Sequence, residues 1–222
     1  MHFLRSTVGR KIVMALTGSF LLGFLLIHLC GNSLIFAGWI NAYGEHLHSL
    51  PVFVWVFRAS MMGIFLCHIF IGISLYLENR AAKPSQYAVK KNLRATVSGR
   101  TMIWTGFLIA VFLIYHLLHF TIRVTNPDIS NSLDDSGRLD VFKMVVFSFN
   151  NHVIAIVYMA AMVVLGLHLS HGVQSIVQTF GLNSERSLPS VEKAGNAIAI
   201  AILLGYISIP FVILCGILKY TG

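Results

Sequence analysis

Five long apolar runs dominate the pattern of hydrophobic and polar positions along this chain. They cover about residues 11–38, 52–77, 101–124, 149–179 and 195–219. Each run meets or exceeds the roughly 20 residues that a helix needs to cross the hydrocarbon core of a bilayer. Glycine and proline residues mark the gaps between the runs, where they favour turns. The pattern predicts an all-α membrane protein in which residues 1–222 form a single integral-membrane domain, a bundle of five transmembrane helices without a soluble domain or an internal repeat.

The composition favours the same class of protein. Hydrophobic residues make up 56% of the chain and charged residues 11%, whereas a soluble domain carries about a quarter charged residues. The three cysteines lie singly in apolar runs and form no CxxC motif, so nothing indicates a covalent haem, a zinc site or an iron–sulfur site. The first apolar run exceeds the roughly 7–15 residues of a secretory signal, and we expect it to be retained as the first helix.

The basic residues predict an orientation in the membrane. Eleven Lys and Arg residues lie in the N-terminal arm and around the gaps after the second and fourth runs, against five elsewhere, and the net charge is +8. Since cytoplasmic loops are enriched in Lys and Arg, this bias predicts a cytoplasmic N-terminus and a C-terminus outside. The clusters do not form a soluble basic face, so no nucleic-acid partner is expected. The acidic segment 125–148 is expected to fold partly over the outer membrane surface.

Each of the first four runs carries one deeply placed histidine: His28, His68, His116 and His168. An ionisable residue inside a membrane segment indicates a functional site. Counted from the cytoplasmic end of each run at ~1.5 Å per residue, His28 and His116 lie ~25 and ~22 Å deep. The same count places His68 and His168 at ~15 and ~18 Å. The histidines therefore sort into an outer pair from helices one and three and an inner pair from helices two and four.

Two histidine pairs in a helix bundle predict two b-type haems. Bis-histidine ligation saturates the haem iron and suits electron transfer rather than oxygen binding. Geometry leaves the ligand open on two helices, because His119 and His171 each follow a candidate by three residues, and residues at i and i+3 share a helix face. The histidine pattern alone also leaves two classes of function open. One is a di-haem anchor of a respiratory dehydrogenase, whichever its substrate, and the other is a non-haem transporter that uses the histidines as a path for transition metals.

Four motifs with defined spacing run through nearly the whole chain. They are Thr17-Gly18 with His28 eleven residues after the threonine, Thr105-Gly106 with His116 at the same spacing, His68 with the later Gln86-Tyr87, and His168 thirteen residues before Gly181. With these motifs the chain resembles the cytochrome b membrane-anchor subunit of succinate dehydrogenase and fumarate reductase, in the type with one five-helix anchor and two haems.

The resemblance assigns the haem ligands. It implies that His28 and His116 bind the outer haem, and that His68 and His168 bind the inner haem. His119 and His171 would then hydrogen-bond a propionate or a neighbouring helix.

Polar residues near the two membrane surfaces are candidates for further contacts. The cationic and hydroxyl side chains near the cytoplasmic face are Arg10, Lys11, Ser98 and Arg100. Since haem propionates need such partners, this set is the candidate for contacts with the inner haem. The alternative is that these residues only follow the excess of Lys and Arg on the cytoplasmic side. Glu45, His46 and His48 form a polar cluster near the outer haem. Quinol oxidation releases two protons, so this cluster is the candidate quinone site, with Glu45 as the first candidate for its catalytic acid/base group.

The resemblance also implies a function. The subunit would transfer electrons between an iron–sulfur subunit and a membrane quinone, and the five-helix type suggests menaquinone. The FAD, the iron–sulfur clusters and the dicarboxylate chemistry would belong to a flavoprotein subunit and an iron–sulfur subunit, and two such heterotrimers could form a dimer. The chain would be a multi-pass protein of the bacterial inner (cytoplasmic) membrane, in contact with lipid. Gly166 stands where some members carry a glutamate two residues before the fourth-helix ligand, so no carboxylate proton relay through the helices is expected.

Overall fold

The computed structural model describes residues 6–82 and 97–220, and within them it contains helices and one isolated β-bridge but no strand. The helices are α1 (Thr7–Ser33), α2 (Ile40–His48), α3 (Pro51–Ala81), α4 (Val97–His116), α5 (Pro127–Ser130), α6 (Val141–Asn150), α7 (His152–Thr179) and α8 (Leu188–Leu214). A 3₁₀ turn, Leu34–Ala37, extends α1, and a π-helical turn, Leu117–Thr121, extends α4. In the described part of the chain, five helices are long and apolar enough to cross a membrane: α1, α3, α4, α7 and α8. The predicted all-α, five-span fold is therefore confirmed.

The long helices begin one to seven residues away from the starts of the apolar runs, and residues in or beside the first turn explain two of these differences. α8 begins at Leu188 rather than near residue 195, because Pro189 occupies its first turn, where a missing N–H is no loss. α7 begins at His152, because the Asn151 side chain accepts hydrogen bonds from two N–H groups of the first turn. The residues just before Asn151 belong to the separate helix α6.

Glycines bring the long helices close together. α7 lies along α8, where a Cβ at Gly195 would stand 3.1 Å from the Gln174 side chain. α8 also meets α1, where a Cβ at Gly205 would stand 2.7 Å from Leu29. Small residues suit membrane helices because close packing, rather than the hydrophobic effect, drives their association in lipid. α4 packs on α7 and α1 packs on α3, but α3 touches α4 only sparsely, so a space remains between these four helices.

One end of the bundle, which we name the cap end, is covered by α2, α5, α6 and the residues after α8. Asp140 is 3% exposed there. It accepts hydrogen bonds from the Asn41 amide at 3.0 Å and from the Tyr220 hydroxyl at 3.2 Å. Segment 125–148 is thus folded onto the bundle. The opposite end, where α1 and α4 begin and α3 ends, is named the basic end.

The carboxylate of Asp134 lies beside this network. It accepts hydrogen bonds from the Arg138 side chain at 2.9 Å and from Asn41 at 3.2 Å. Desolvation alone would raise the pKa of this carboxyl, but hydrogen bonds from Arg138, Asn41 and Ser136 outweigh that effect and lower the pKa below its ordinary value. The cap end therefore contains an ionised carboxylate at neutral pH.

Candidate functional site

Four of the membrane-spanning helices, α1, α3, α4 and α7, surround a cavity of about 2470 Å³ that extends from the basic end to the cap end. A pocket for one small ligand is roughly 300–1,000 Å³, so the space suits more than one large group. Its lining is mostly apolar, and all four helices contribute histidines to it, among them His28, His68, His116 and His168.

The four histidines face each other in two pairs. The ring centres of His28 and His116 are 6.0 Å apart, and those of His68 and His168 are 6.4 Å apart. A metal–imidazole bond is about 2 Å long, so a metal held between two imidazoles keeps their ring centres about 6 Å apart. The described residues contain no group of three or more His, Cys, Asp or Glu side chains that could hold a metal ion. Two-donor sites of this kind fit haem, whose macrocycle supplies the other ligands.

The Thr-Gly motifs contact the pair nearer the basic end, each from a neighbouring helix. Thr17 Oγ1 lies 3.0 Å from His68 Nδ1, and a Cβ at Gly18 would stand 3.4 Å from the same ring. These contacts fix the ring against α1 at a position where only a small residue leaves it room.

The same arrangement recurs between α4 and α7. Thr105 Oγ1 lies 3.1 Å from His168 Nδ1, and a Cβ at Gly106 would stand 3.4 Å from that ring. The helix pair α1 and α3 and the helix pair α4 and α7 thus share one local contact, a repeat that the sequence pattern did not reveal. Sequence reasoning used the motifs only as markers of resemblance, and their equal spacing to His28 and His116 was the signal that could have revealed the contacts.

His116 and His119 point to different surroundings although they are three residues apart. His119 is 1% exposed and lies outside the cavity lining. Its Nδ1 is 3.0 Å from the Tyr158 hydroxyl, and its Nε2 is 3.1 Å from Ser148 Oγ. Because the Ser148 hydroxyl donates to a backbone carbonyl at 2.6 Å, its oxygen accepts from Nε2–H and the Tyr158 hydroxyl donates to Nδ1.

The π-helical turn Leu117–Thr121 explains the separation of the two histidines. An ordinary α-helix would place residues i and i+3 on one face, whereas the wider turn lets His116 face the cavity and His119 face α6 and α7. Such turns often occur at functional sites. Both nitrogens of His119 are engaged, whereas His116 Nδ1 is buried without a hydrogen-bond partner.

His171 differs from His119 because it lines the cavity. It lies about one helical turn from His168, toward the basic end. Its Nδ1 is buried without a hydrogen-bond partner, so the ring keeps an unused polar atom beside the cavity. His168, by contrast, is the ring that faces His68.

Among the described residues of the basic end, three cationic side chains line the cavity: Lys11, Arg80 and Arg100. Arg80 entered the sequence reasoning only through its charge, so its place at the site was missed. Arg10 instead forms an ion pair with Glu78, which ties the start of α1 to the end of α3. The side chain of Ser98 and the motif Gln86-Tyr87 lie outside the described residues.

The polar cluster predicted from α2 lies at the cap end, only partly at the cavity. His48 lines the cavity and also a small adjoining pocket of about 360 Å³, which Glu45 shares. The Glu45 side chain is 60% exposed and stands 3.8 Å from Arg138. His46 is exposed and lines neither space.

Two arginines that sequence reasoning counted only for orientation also line the cavity toward the cap end, Arg58 and Arg123. Arg123 follows the π-helical turn with φ +63°, a conformation that is uncommon for a residue with a side chain. The packing of the helices brings both arginines to the cavity, and this packing could not be read from the sequence.

Comparison with known proteins identifies the family. A family model described as the succinate dehydrogenase/fumarate reductase transmembrane subunit matches residues 76–209. The match covers more than half of the chain, from the end of α3 into α8, and includes His116 and His168. No curated protein and no solved structure matches the chain significantly. On this evidence the chain belongs to the family of transmembrane subunits of succinate dehydrogenase and fumarate reductase, multi-pass membrane proteins that work with a flavoprotein and an iron–sulfur subunit.

Proposed function

We propose that this subunit binds two b-type haems and transfers electrons between its iron–sulfur partner and a membrane quinone, of the menaquinone type. The observation that carries the proposal is the pair of facing histidines at each of two levels, with ring centres 6.0 and 6.4 Å apart in one apolar cavity. In this proposal His28 and His116 hold one haem, and His68 and His168 hold the other.

Haem, when bound, supplies one-electron chemistry that no side chain here can provide. The chain contributes ligands, spacing and an apolar wall that excludes water. His119 is fully engaged with Tyr158 and Ser148, which favours His116 as the ligand on α4. The Thr105 contact and the facing His68 ring favour His168 over His171 on α7.

The basic end is proposed to face the cytoplasm and the partner subunits. This orientation rests on the Lys and Arg distribution. Lys11, Arg80 and Arg100 line the cavity there and are suited to bind haem propionates. His171 adds a ring nitrogen at the same side of the His68–His168 pair.

The quinone is proposed to react near the cap end, on the side of His28 and His116. Glu45 remains the candidate that accepts a proton from quinol, because it lies at the rim and can exchange protons with water. His48 links the rim pocket to the main cavity, so it is suited to hydrogen-bond a quinone oxygen. His46 remains an exposed candidate on α2.

A reduced-minus-oxidised spectrum with haem quantitation of the purified complex tests the proposal. Two b-type haems per chain are expected. His28→Ala and His68→Ala should each lose one haem and keep the other, and Ser19→Ala on α1 is a control that should keep both. A wild-type complex without haem would contradict the proposal, and metal uptake without haem absorbance would favour the transporter alternative.

A further inference from the structure

The two histidine pairs differ in what their Nδ1 atoms contact. In the pair nearer the basic end, each Nδ1 faces a threonine hydroxyl, Thr17 for His68 and Thr105 for His168, at 3.0 and 3.1 Å. In the other pair, His116 Nδ1 is buried without a hydrogen-bond partner. The threonines therefore act on only one of the two levels.

The direction of these hydrogen bonds follows from the surroundings of each hydroxyl. Thr17 Oγ1 lies 2.9 Å from the Val13 carbonyl and 3.1 Å from the Met14 carbonyl. Carbonyl oxygens only accept, so the hydroxyl proton is directed to the backbone of α1 and the oxygen is free to accept from His68 Nδ1–H. The His68 ring then carries its proton on Nδ1 and leaves Nε2 unprotonated, which is the form that binds a metal.

Thr105 has the same surroundings at the contact between α4 and α7. Its hydroxyl lies 3.2 Å from the Thr101 carbonyl and 3.1 Å from the Met102 carbonyl, so its oxygen can also accept from His168 Nδ1–H. The Met102 carbonyl also interacts with the His168 ring. His168 therefore has a second acceptor within reach, whereas Thr17 is the acceptor identified for His68.

We propose that Thr17 and Thr105 are positioning residues that fix the tautomer and the ring angle of His68 and His168 and lower the reduction potential of the haem that they hold. The inference rests on the proposed function. A hydrogen bond from Nδ1–H makes the imidazole a stronger donor to iron, and a stronger donor favours the oxidised metal. Both threonines stand on helices that carry the ligands of the other haem, so each of these helices acts on both levels.

Thr17→Val gives the sharpest test, because valine keeps the shape of threonine and removes the hydroxyl. The expected result is a higher midpoint potential for one haem, with a threefold to tenfold change in its reduced-to-oxidised ratio at a fixed potential. That change corresponds to about 30–60 mV for one electron. Thr105→Val should give a smaller rise, because the Met102 carbonyl can still accept from His168. The measurement is a spectroelectrochemical titration of the haem-loaded complex.

Two further variants separate this role from general packing. Thr17→Ser keeps the hydroxyl and should restore the wild-type potential. Ser19→Ala, on the same helix, removes a hydroxyl that bonds only to the Ala15 carbonyl in the described structure at 2.8 Å, and it should change neither potential. Loss of one haem in Thr17→Val with its return in Thr17→Ser would also support the inference, because an ordered partner raises ligand affinity.

An unchanged potential in Thr17→Val, an equal shift of both haems, or a failure of serine to restore the potential would overturn the inference. If Thr17→Val does not assemble, the same comparison of Thr105→Val with Thr105→Ser tests the inference. A wild-type complex without haem would instead contradict the proposed function, so the two failures are distinguishable.

Discussion

Separate replacement of His119 and His116 distinguishes packing from ligation on α4. His119 is 1% exposed, and both of its ring nitrogens are hydrogen-bonded. His119→Leu keeps the site filled but leaves the Tyr158 hydroxyl buried without its acceptor, while Ser148 keeps its bond to the backbone. An orphaned buried hydroxyl costs about 1–3 kcal/mol, and each lost hydrogen bond about 1 kcal/mol. We expect His119→Leu to lower the free energy of unfolding by about 2–4 kcal/mol and to retain both haems.

A double-mutant cycle checks the source of that cost. Tyr158→Phe alone should destabilise the protein by about 1–3 kcal/mol, because it removes a hydrogen bond and leaves the buried His119 Nδ1 without a partner. In the His119→Leu background the same change should recover about 1–2 kcal/mol, because it removes the orphaned hydroxyl. The sign of the Tyr158→Phe effect should therefore reverse between the two backgrounds. Equal effects in both would show that the hydrogen bond is not what stabilises this region.

His116→Ala should have the opposite profile. His116 Nδ1 has no hydrogen-bond partner, so few polar contacts are lost, but one of the two haems should disappear. Haem quantitation and thermal unfolding of the purified complex in detergent measure both properties in all variants. If His119→Leu loses a haem and His116→Ala keeps both, the ligand assignment and the reasoning from the π-helical turn are wrong.

Three further predictions concern other parts of the protein. Gly18→Val should displace His68 and reduce occupancy of one haem, whereas Gly23→Val, at a position with open space around its Cβ, should not; equal loss in both would point to a general packing defect. The pKa of Asp134 is lowered in the folded state, so its stabilising contribution is present above its unfolded pKa of about 3.8 and is lost as the pH falls through the lower folded pKa. Hydrogen exchange at the cap end should therefore increase as the pH falls through that range. Asp134→Asn should remove this pH dependence. Glu45→Gln should slow quinol oxidation by roughly 100-fold or more with both haems bound, and an unchanged turnover number would exclude it as the base.

The fold was predictable because the features that define it are local. A helix must satisfy its backbone hydrogen bonds internally to cross lipid, so an apolar run of sufficient length already predicts a span. The predicted spans differ from the observed helices at their ends, because capping residues determine where a helix begins. Pro189 begins α8 within a polar stretch, and Asn151 separates α7 from α6. The hydropathy pattern contains no information on either of these helix starts.

Helix periodicity could not choose between His116 and His119, and at the level of the sequence only the resemblance did so. Their spacing predicts a shared helix face, and only the π-helical turn separates them. Tertiary contacts accompany that turn, because His119 fits between Tyr158 and Ser148 on other helices. No periodicity in α4 contains this information. The family match, which includes both histidines, does not choose between them either.

The contact between Thr17 and His68 also shows that counting depth along each run underestimates the separation of the two histidine levels. Counting gave differences of roughly 4–10 Å between the inner and outer histidines. Thr17 and His68 lie at one level because they are in contact, and His28 follows Thr17 by eleven residues on the same helix, or about 16 Å of rise. The same eleven residues separate Thr105 from His116 on α4. On both helices, therefore, the same distance separates the histidine that the threonine contacts from the histidine that the helix itself carries. This distance sets the separation of the two proposed haems.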